Sequence, residues 1–175
     1  MGQRAIGLLG GSFNPAHAGH VHISVEARKI LGLKKIWWMV SPQNPLKSTR
    51  GMASFVERFS SAQKITAPHR FIHVSDIESR MHTRYTIDTL RKLKRRFPQR
   101  RFVWLMGADN LLQLPQWHNW ERIPQMVEVH VFDRGKYYKQ AIKGEAISKY
   151  EDRITYHKIR KNPLSSTLIR NSFSH

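Results

Sequence analysis

An α/β architecture, with a mainly parallel sheet covered by helices on both faces, follows from three features of this 175-residue chain. Short apolar runs such as Ala5–Leu9, Ile36–Val40 and Phe102–Met106 read as strands buried on both sides. Stretches with apolar residues at helical spacing separate them. The first strand, helix and strand fit within residues 5–40, the size of a βαβ unit.

Taken in order, Ala5–Leu9 is the first strand and ends in Gly10-Gly11, a tight turn. Ile23, Ala27, Ile30 and Leu31 then share one helical face, and Gly32 stands where a C-cap belongs. Lys35–Val40 is the second strand, stopped by Ser41-Pro42. Phe55, Val56, Phe59 and Ala62 predict a helix, and Phe71–Val74 a strand. Ile87, Leu90, Leu93 and Phe97 trace another helical face, closed by Pro98. Phe102–Met106 is a strand breaking at Gly107, Glu128–Phe132 is a fifth and Ile154–His157 a sixth. A final short helix starts at Ser165, with Leu168, Ile169 and Phe173 turned inward. No repeat or low-complexity segment interrupts this order, so residues 1–175 are expected to form one Rossmann-like, doubly wound domain.

Composition narrows the function. With 40% hydrophobic residues the chain has material for a real core, which excludes wholesale disorder. The absence of Cys excludes disulfides, thiolate catalysis and Cys-type zinc sites, and fits a reducing cytoplasm. The apolar runs fall far short of the roughly 20 residues of a membrane-spanning helix. Met1-Gly2-Gln3-Arg4 lacks the apolar stretch of a signal peptide, so a soluble, cytoplasmic protein is expected. Against 12 acidic residues stand 30 Lys and Arg, a formal charge of +18. That surplus suits either a nucleic acid or a polyphosphate ligand, and the charge alone does not choose.

In a doubly wound sheet ligands bind beyond the carboxyl ends of the strands, which directs attention to the loops after Leu9, Val40, Val74, Met106 and Phe132. The first of these runs from Gly10 to His20 as GGSFNPAHAGH. Gly10 and Gly11 let a ligand approach the backbone, and Pro15 stiffens the turn. His17 and His20 stand at the mouth of the following helix, where free N–H groups and the helix dipole attract phosphate. Each imidazole can donate to a phosphate oxygen, more strongly when protonated. The loop is neither a P-loop nor a GxGxxG turn. A plain glycine turn with incidental surface histidines is the bland alternative. A metal site on His17, His20 and His22 has no further ligand to support it, so no protein-held metal is assigned.

The string Gly11, Phe13, Pro15, His17, Gly19 and His20 resembles the G-x-F-x-P-x-H-x-G-H signature of the nucleotidyltransferase superfamily of adenylyltransferases. Near the other end, Ser165-Ser166-Thr167-Leu168-Ile169-Arg170 is similar to that superfamily's S-[ST]-T-x-[IL]-R element. There a serine would cap a helix, and Arg170 would grip two phosphate oxygens with its planar guanidinium. The closer resemblance is to bacterial nicotinate-mononucleotide adenylyltransferases. It implies ATP contacts at Gly10, Gly11, Ser12 and Phe13, with Gly107 giving adenosine room and Asp109 accepting from ribose hydroxyls. Asp109 could equally serve as a helix N-cap. The resemblance also implies a nicotinate site at Tyr85 and Thr86, where backbone N–H groups meet the carboxylate, with Trp117 stacking on the pyridine. A core position for Trp117 is the alternative. Asn44 and Lys47 in the loop after the second strand, and Arg134 after the fifth, would hold the mononucleotide phosphate. The resemblance departs at the end, where only Asn171–His175 follow the second motif.

The implied reaction joins ATP and nicotinate mononucleotide to give nicotinate adenine dinucleotide and pyrophosphate, a step of NAD biosynthesis. The acceptor phosphate is already anionic and needs no general base. Positioning and charge stabilisation carry the rate, and well-held reactants supply roughly 7–11 kcal/mol. His17 is assigned to ATP phosphates and His20 to the transferred phosphoryl group. Arg170, with Ser166 or Thr167, stabilises the leaving group and completes the ATP site from about residue 165. Mg²⁺ enters with ATP, held largely by phosphate and water. Close rivals are adenylyltransferases for phosphopantetheine or nicotinamide mononucleotide. A different class is an RNA-binding module, supported by Arg91, Lys92, Lys94, Arg95, Arg96, Arg100 and Arg101. A solvated basic helix face explains those residues more simply, and no RNP-type aromatic motif accompanies them.

Overall fold

A computed structural model describes residues 4–42 and 50–160. All six expected strands form, at Ile6–Gly11 (β1), Lys35–Val40 (β2), Ile72–Ser75 (β3), Phe102–Gly107 (β4), Glu128–Asp133 (β5) and Ile154–Lys158 (β6). They make one sheet in the order β3-β2-β1-β4-β5-β6, and every pairing is parallel. The chain leaves β1 toward one edge and returns at β4 on its other side. Beyond their carboxyl ends lies the point where connections diverge and a crevice opens.

Two strands run further than their sequences suggest. Gly10 and Gly11 do not form the turn but complete β1, opposite Met39 and Val40. Gly10 is there because a Cβ would lie 2.7 Å from the Trp104 ring on β4. The turn starts at Ser12, with Phe13 at φ 50° and a cis Asn14–Pro15 bond. Gly107 likewise ends β4 in register with Phe132.

Three helices match their periodicities: Ala18–Leu31 (α1), Phe55–Thr66 (α2) and Thr86–Arg96 (α4). Gly32 closes α1 in the left-handed conformation at φ 63°. Five helices of five or six residues went unanticipated: Ile77–Met81 (α3), Ala108–Gln113 (α5), Arg122–Met126 (α6), Tyr138–Ile142 (α7) and Glu145–Lys149 (α8). Elements that short carry too few turns to show a period. The expected helix from Ser165 lies outside the described residues.

Strand alternation divides the core between the two faces of the sheet. Leu8, Phe102, Trp104, Met106, Val129 and Val131 face α3–α8, while Leu9, Ile36, Trp38, Val40, Val103 and Leu105 face α1 and α2. Among the described residues no helix is long and apolar enough to cross a membrane.

Candidate functional site

At the crevice between β1 and β4 lies a cavity of about 1280 Å³, large enough for two nucleotides. Every predicted site residue within the described stretches lines it: Gly10, Gly11, Ser12, Phe13, His17, His20, Tyr85, Thr86, Gly107, Asp109, Trp117 and Arg134. Asn44, Lys47, Ser166, Thr167 and Arg170 lie outside the described residues.

The two histidines cap α1 themselves. His17 is the N-cap, and its Nδ1 accepts the amide hydrogen of Gly19 at 3.0 Å. His20 reaches back, its Nδ1 accepting the amide hydrogen of His17 at 3.1 Å. This is a capping box built from imidazoles rather than from Ser and Glu. An amide can only donate, so each Nδ1 accepts and each neutral ring carries its proton on Nε2. The expectation of free helix amides for phosphate is corrected at Gly19 and His17, whose N–H groups are used by the histidines. Gly19 is required for this geometry, since a Cβ there would stand 2.8 Å from the His17 ring. The rings lie 3.9 Å apart, and His20 rests on buried Phe13, which stacks on Trp38 at 4.9 Å.

Charge sets the state of His17. Desolvation and the Arg134 guanidinium hold its imidazole below the usual histidine range, against a smaller opposing pull from Asp109. It is therefore a neutral donor at pH 7, not the cation that a stronger phosphate bond would favour. Arg134 itself reaches the start of α1, with Nη2 3.4 Å from where a Gly19 Cβ would be. The preceding Asp133 is buried and accepts from the Tyr156 hydroxyl, which anchors the strand end that presents Arg134. His22 takes no part, because its Nε2 bonds the Arg160 carbonyl at 2.7 Å.

Asp109 is not an N-cap. Gly107 occupies that position in α5, and Asp109 stands in the first turn, exposed to the cavity. A Cβ on Gly107 would come within 2.6 Å of Asp109 Oδ1, so the glycine makes room for this carboxylate first.

The opposite wall is aromatic. Tyr85 precedes α4, whose N-terminus has no side-chain cap, and its ring stacks on His118 at 4.4 Å. Trp117 ends a 3₁₀ turn over Leu114–Gln116 and stands edge-on to Trp104 at 6.3 Å. Trp117 thus belongs both to the core margin and to the cavity wall.

Several lining or supporting residues escaped the sequence reading, among them Glu78, His118, Lys136 and Tyr137. The main support is Arg58 on α2, 2% exposed. Its guanidinium donates to the carbonyls of Ser12 (2.7 Å), Ser41 (2.7 Å), Pro42 (3.1 Å) and Ala53 (3.0 Å), tying the loops after β1 and β2 together. One signal was available: Arg58 falls at i+3 from Phe55 and i−4 from Ala62, on the buried face of its helix.

Comparison with known proteins agrees with this arrangement. The model of the cytidylyltransferase-like family matches residues 8–172. A Parvibaculum lavamentivorans protein named "Probable nicotinate-nucleotide adenylyltransferase" is 60% identical over 129 residues, 74% of this chain and 64% of the relative. A protein of the same name from Gluconobacter oxydans is 50% identical over 143 residues, 82% of this chain and 73% of the relative. The chain therefore spans just under two thirds of the Parvibaculum relative's length. Among solved structures, a Plasmodium falciparum nicotinic acid mononucleotide adenylyltransferase complexed with NaAD superposes with a TM-score of 0.76. At 22% identity, over 97% of this chain and 83% of the other, that likeness establishes the shared fold.

Proposed function

The chain belongs to the cytidylyltransferase-like family, and from that premise we propose that it transfers the adenylyl group of ATP to nicotinate mononucleotide, a step of NAD biosynthesis. The observation that carries this reading is one cavity with two unlike walls. One presents His17, His20 and Arg134 for phosphates, and the other presents Tyr85, Trp117 and the uncapped start of α4 for a flat ring that carries a carboxylate.

A phosphate oxygen of the acceptor attacks the α-phosphorus of ATP, forming one P–O bond. The bond from the α-phosphorus to the bridging oxygen breaks, and pyrophosphate leaves with that electron pair. No proton need be removed from the nucleophile. The His17 and His20 Nε2–H groups donate to phosphate oxygens as charge shifts across them, held in place by their own capping bonds. Gly10 and Gly11 at the end of β1, with Ser12 and Phe13 in the turn that follows, serve the ATP phosphates. Gly107 and Asp109 serve the adenosine side. Arg134, with Asn44 and Lys47, serves the acceptor phosphate. Tyr85, Thr86 and Trp117 hold the pyridine, whose carboxylate suits the helix dipole of α4. Ser166, Thr167 and Arg170 are assigned to the leaving group, and residues 1–175 to a single catalytic domain. Mg²⁺ would enter with ATP, held largely by phosphate oxygens and water, and would supply charge neutralisation there. The reaction is placed in the cytoplasm, which suits a chain without cysteine.

Pyrophosphate release with ATP and, separately, nicotinate mononucleotide, nicotinamide mononucleotide and phosphopantetheine tests the proposal. The first acceptor should be strongly preferred. Preference for either of the others overturns it.

A further inference from the structure

Among the described residues Glu78 is the one carboxyl that lines the cavity beside Arg84, Tyr85 and Trp117. It stands in the first turn of α3 and is 7% exposed. Among the described residues its side chain makes no hydrogen bond and no ion pair. The nearby charges are engaged with each other or with carbonyls. On α3 itself Asp76 pairs with Arg80 at 2.7 Å. On the adjoining α4 Asp88 pairs with Arg91 at 3.3 Å, and Lys92 Nζ donates to the Met81 carbonyl at 2.6 Å. Strand β2, also packed on α3, turns the apolar Met39 toward this side and carries its lysine at the far end. Arg84 and His118 remain, both beside the Tyr85 ring. None of these charges moves the proton affinity of Glu78. Burial alone raises its pKa to about 7.

A second buried polar group in the same wall lacks a partner. The Trp104 indole N–H, on a residue 2% exposed, has no acceptor among the described residues. A wall that holds one unsatisfied buried donor and, beside the cavity, an acid with no hydrogen bond among the described residues suits a polar group that a ligand or ordered water supplies.

We propose that Glu78 determines which acceptor the cavity takes, its carboxyl meeting the ring substituent of the pyridine and accepting a carboxylate there only while Glu78 keeps its own proton. This rests on reading the cavity as a pyridine-nucleotide site. Protonated, Glu78 donates its O–H to a substrate carboxylate. Ionised, it repels that carboxylate and accepts instead from an amide N–H.

The test is calorimetric binding of nicotinate mononucleotide and nicotinamide mononucleotide to the full chain at pH 6 and pH 8, without ATP. The two ligands share phosphate and ribose, so the ratio of their dissociation constants isolates the ring substituent. Only the protonated fraction of Glu78 binds the acid, so in the wild type this ratio should move about ten-fold toward the amide between the two pH values. In Glu78→Gln, which cannot ionise and keeps His118, the ratio should stay flat. A flat ratio in the wild type, or an equally pH-dependent one in the variant, overturns the proposal. Binding with the expected ratios but no pyrophosphate release would count against the reaction above and leave the role of Glu78 standing. Failure of both nucleotides to bind overturns both.

Discussion

His17 Nδ1 accepts the amide hydrogen of Gly19 at 3.0 Å, so the residue that begins α1 is also the one whose remaining ring proton is aimed into the cavity. The capping bond costs the ring one nitrogen and fixes the other. Spacing follows from the same contact: the residue two after His17 must have no side chain, because a Cβ there stands 2.8 Å from the imidazole.

Gly19→Ala should therefore displace His17 without disturbing the sheet. A misplacement of about 1 Å in a reacting site costs on the order of 100-fold in rate. Steady-state kcat/KM should fall by about that factor, while circular dichroism stays that of the wild type.

The lowered pKa of His17 sets a pH limb. Its folded-state pKa lies below its unfolded value, so its contribution to stability is present above about 6.5 and is lost as pH falls through the folded value. Protonation also places a hydrogen on Nδ1, where the Gly19 amide must be accepted. Turnover at saturating substrate should hold from pH 7 to 8 and decline as pH falls below the usual histidine range. His17→Asn keeps an acceptor for the cap and should lose this acid limb, along with most of the rate.

Arg58→Leu should be among the most damaging substitutions away from the cavity. It strips donors from the carbonyls of Ser12, Ser41, Pro42 and Ala53 around a buried position. A loss of about 3 kcal/mol is expected, measured by urea denaturation. Arg58→Lys should recover only part of it, because one ammonium cannot span the four acceptors.

These cases mark where sequence reading succeeds and where it stops. The four inner strands were legible because a strand buried on both faces must be apolar along its length, and β2 matches Lys35–Val40 to the residue. The loop after β1 was legible as a cavity wall because its residue types are fixed by capping and contact. The way His17 and His20 cap the helix was not, since it depends on which ring nitrogen meets which amide. The five short helices left no period to read. Glu78 left no signal either: a glutamate in Ser75-Asp76-Ile77-Glu78 looks solvent-facing until α3 buries it beside the cavity.

Glu78 also carries a stability signature. Its folded pKa of about 7 lies above the ordinary glutamate value of 4.5, so its contribution to stability is full below 4.5 and is lost as pH rises through 7. Relative to Glu78→Gln, the wild type should lose about 3 kcal/mol between pH 4.5 and pH 8. Urea midpoints for the two proteins should diverge across that interval, and parallel midpoints would place the acid in a wetter setting.

The account rests on Nε2–H groups of two capping histidines acting on phosphate during adenylyl transfer. Pyrophosphate release from ATP and nicotinate mononucleotide by His20→Asn tests it most directly. Asparagine can still accept the His17 amide hydrogen and preserve the cap, but it has nothing in the place of Nε2. With an unchanged melting midpoint, turnover should fall about 100- to 1,000-fold, the usual cost of one donor to a charge developing in the transition state. Wild-type turnover in that variant would contradict the account.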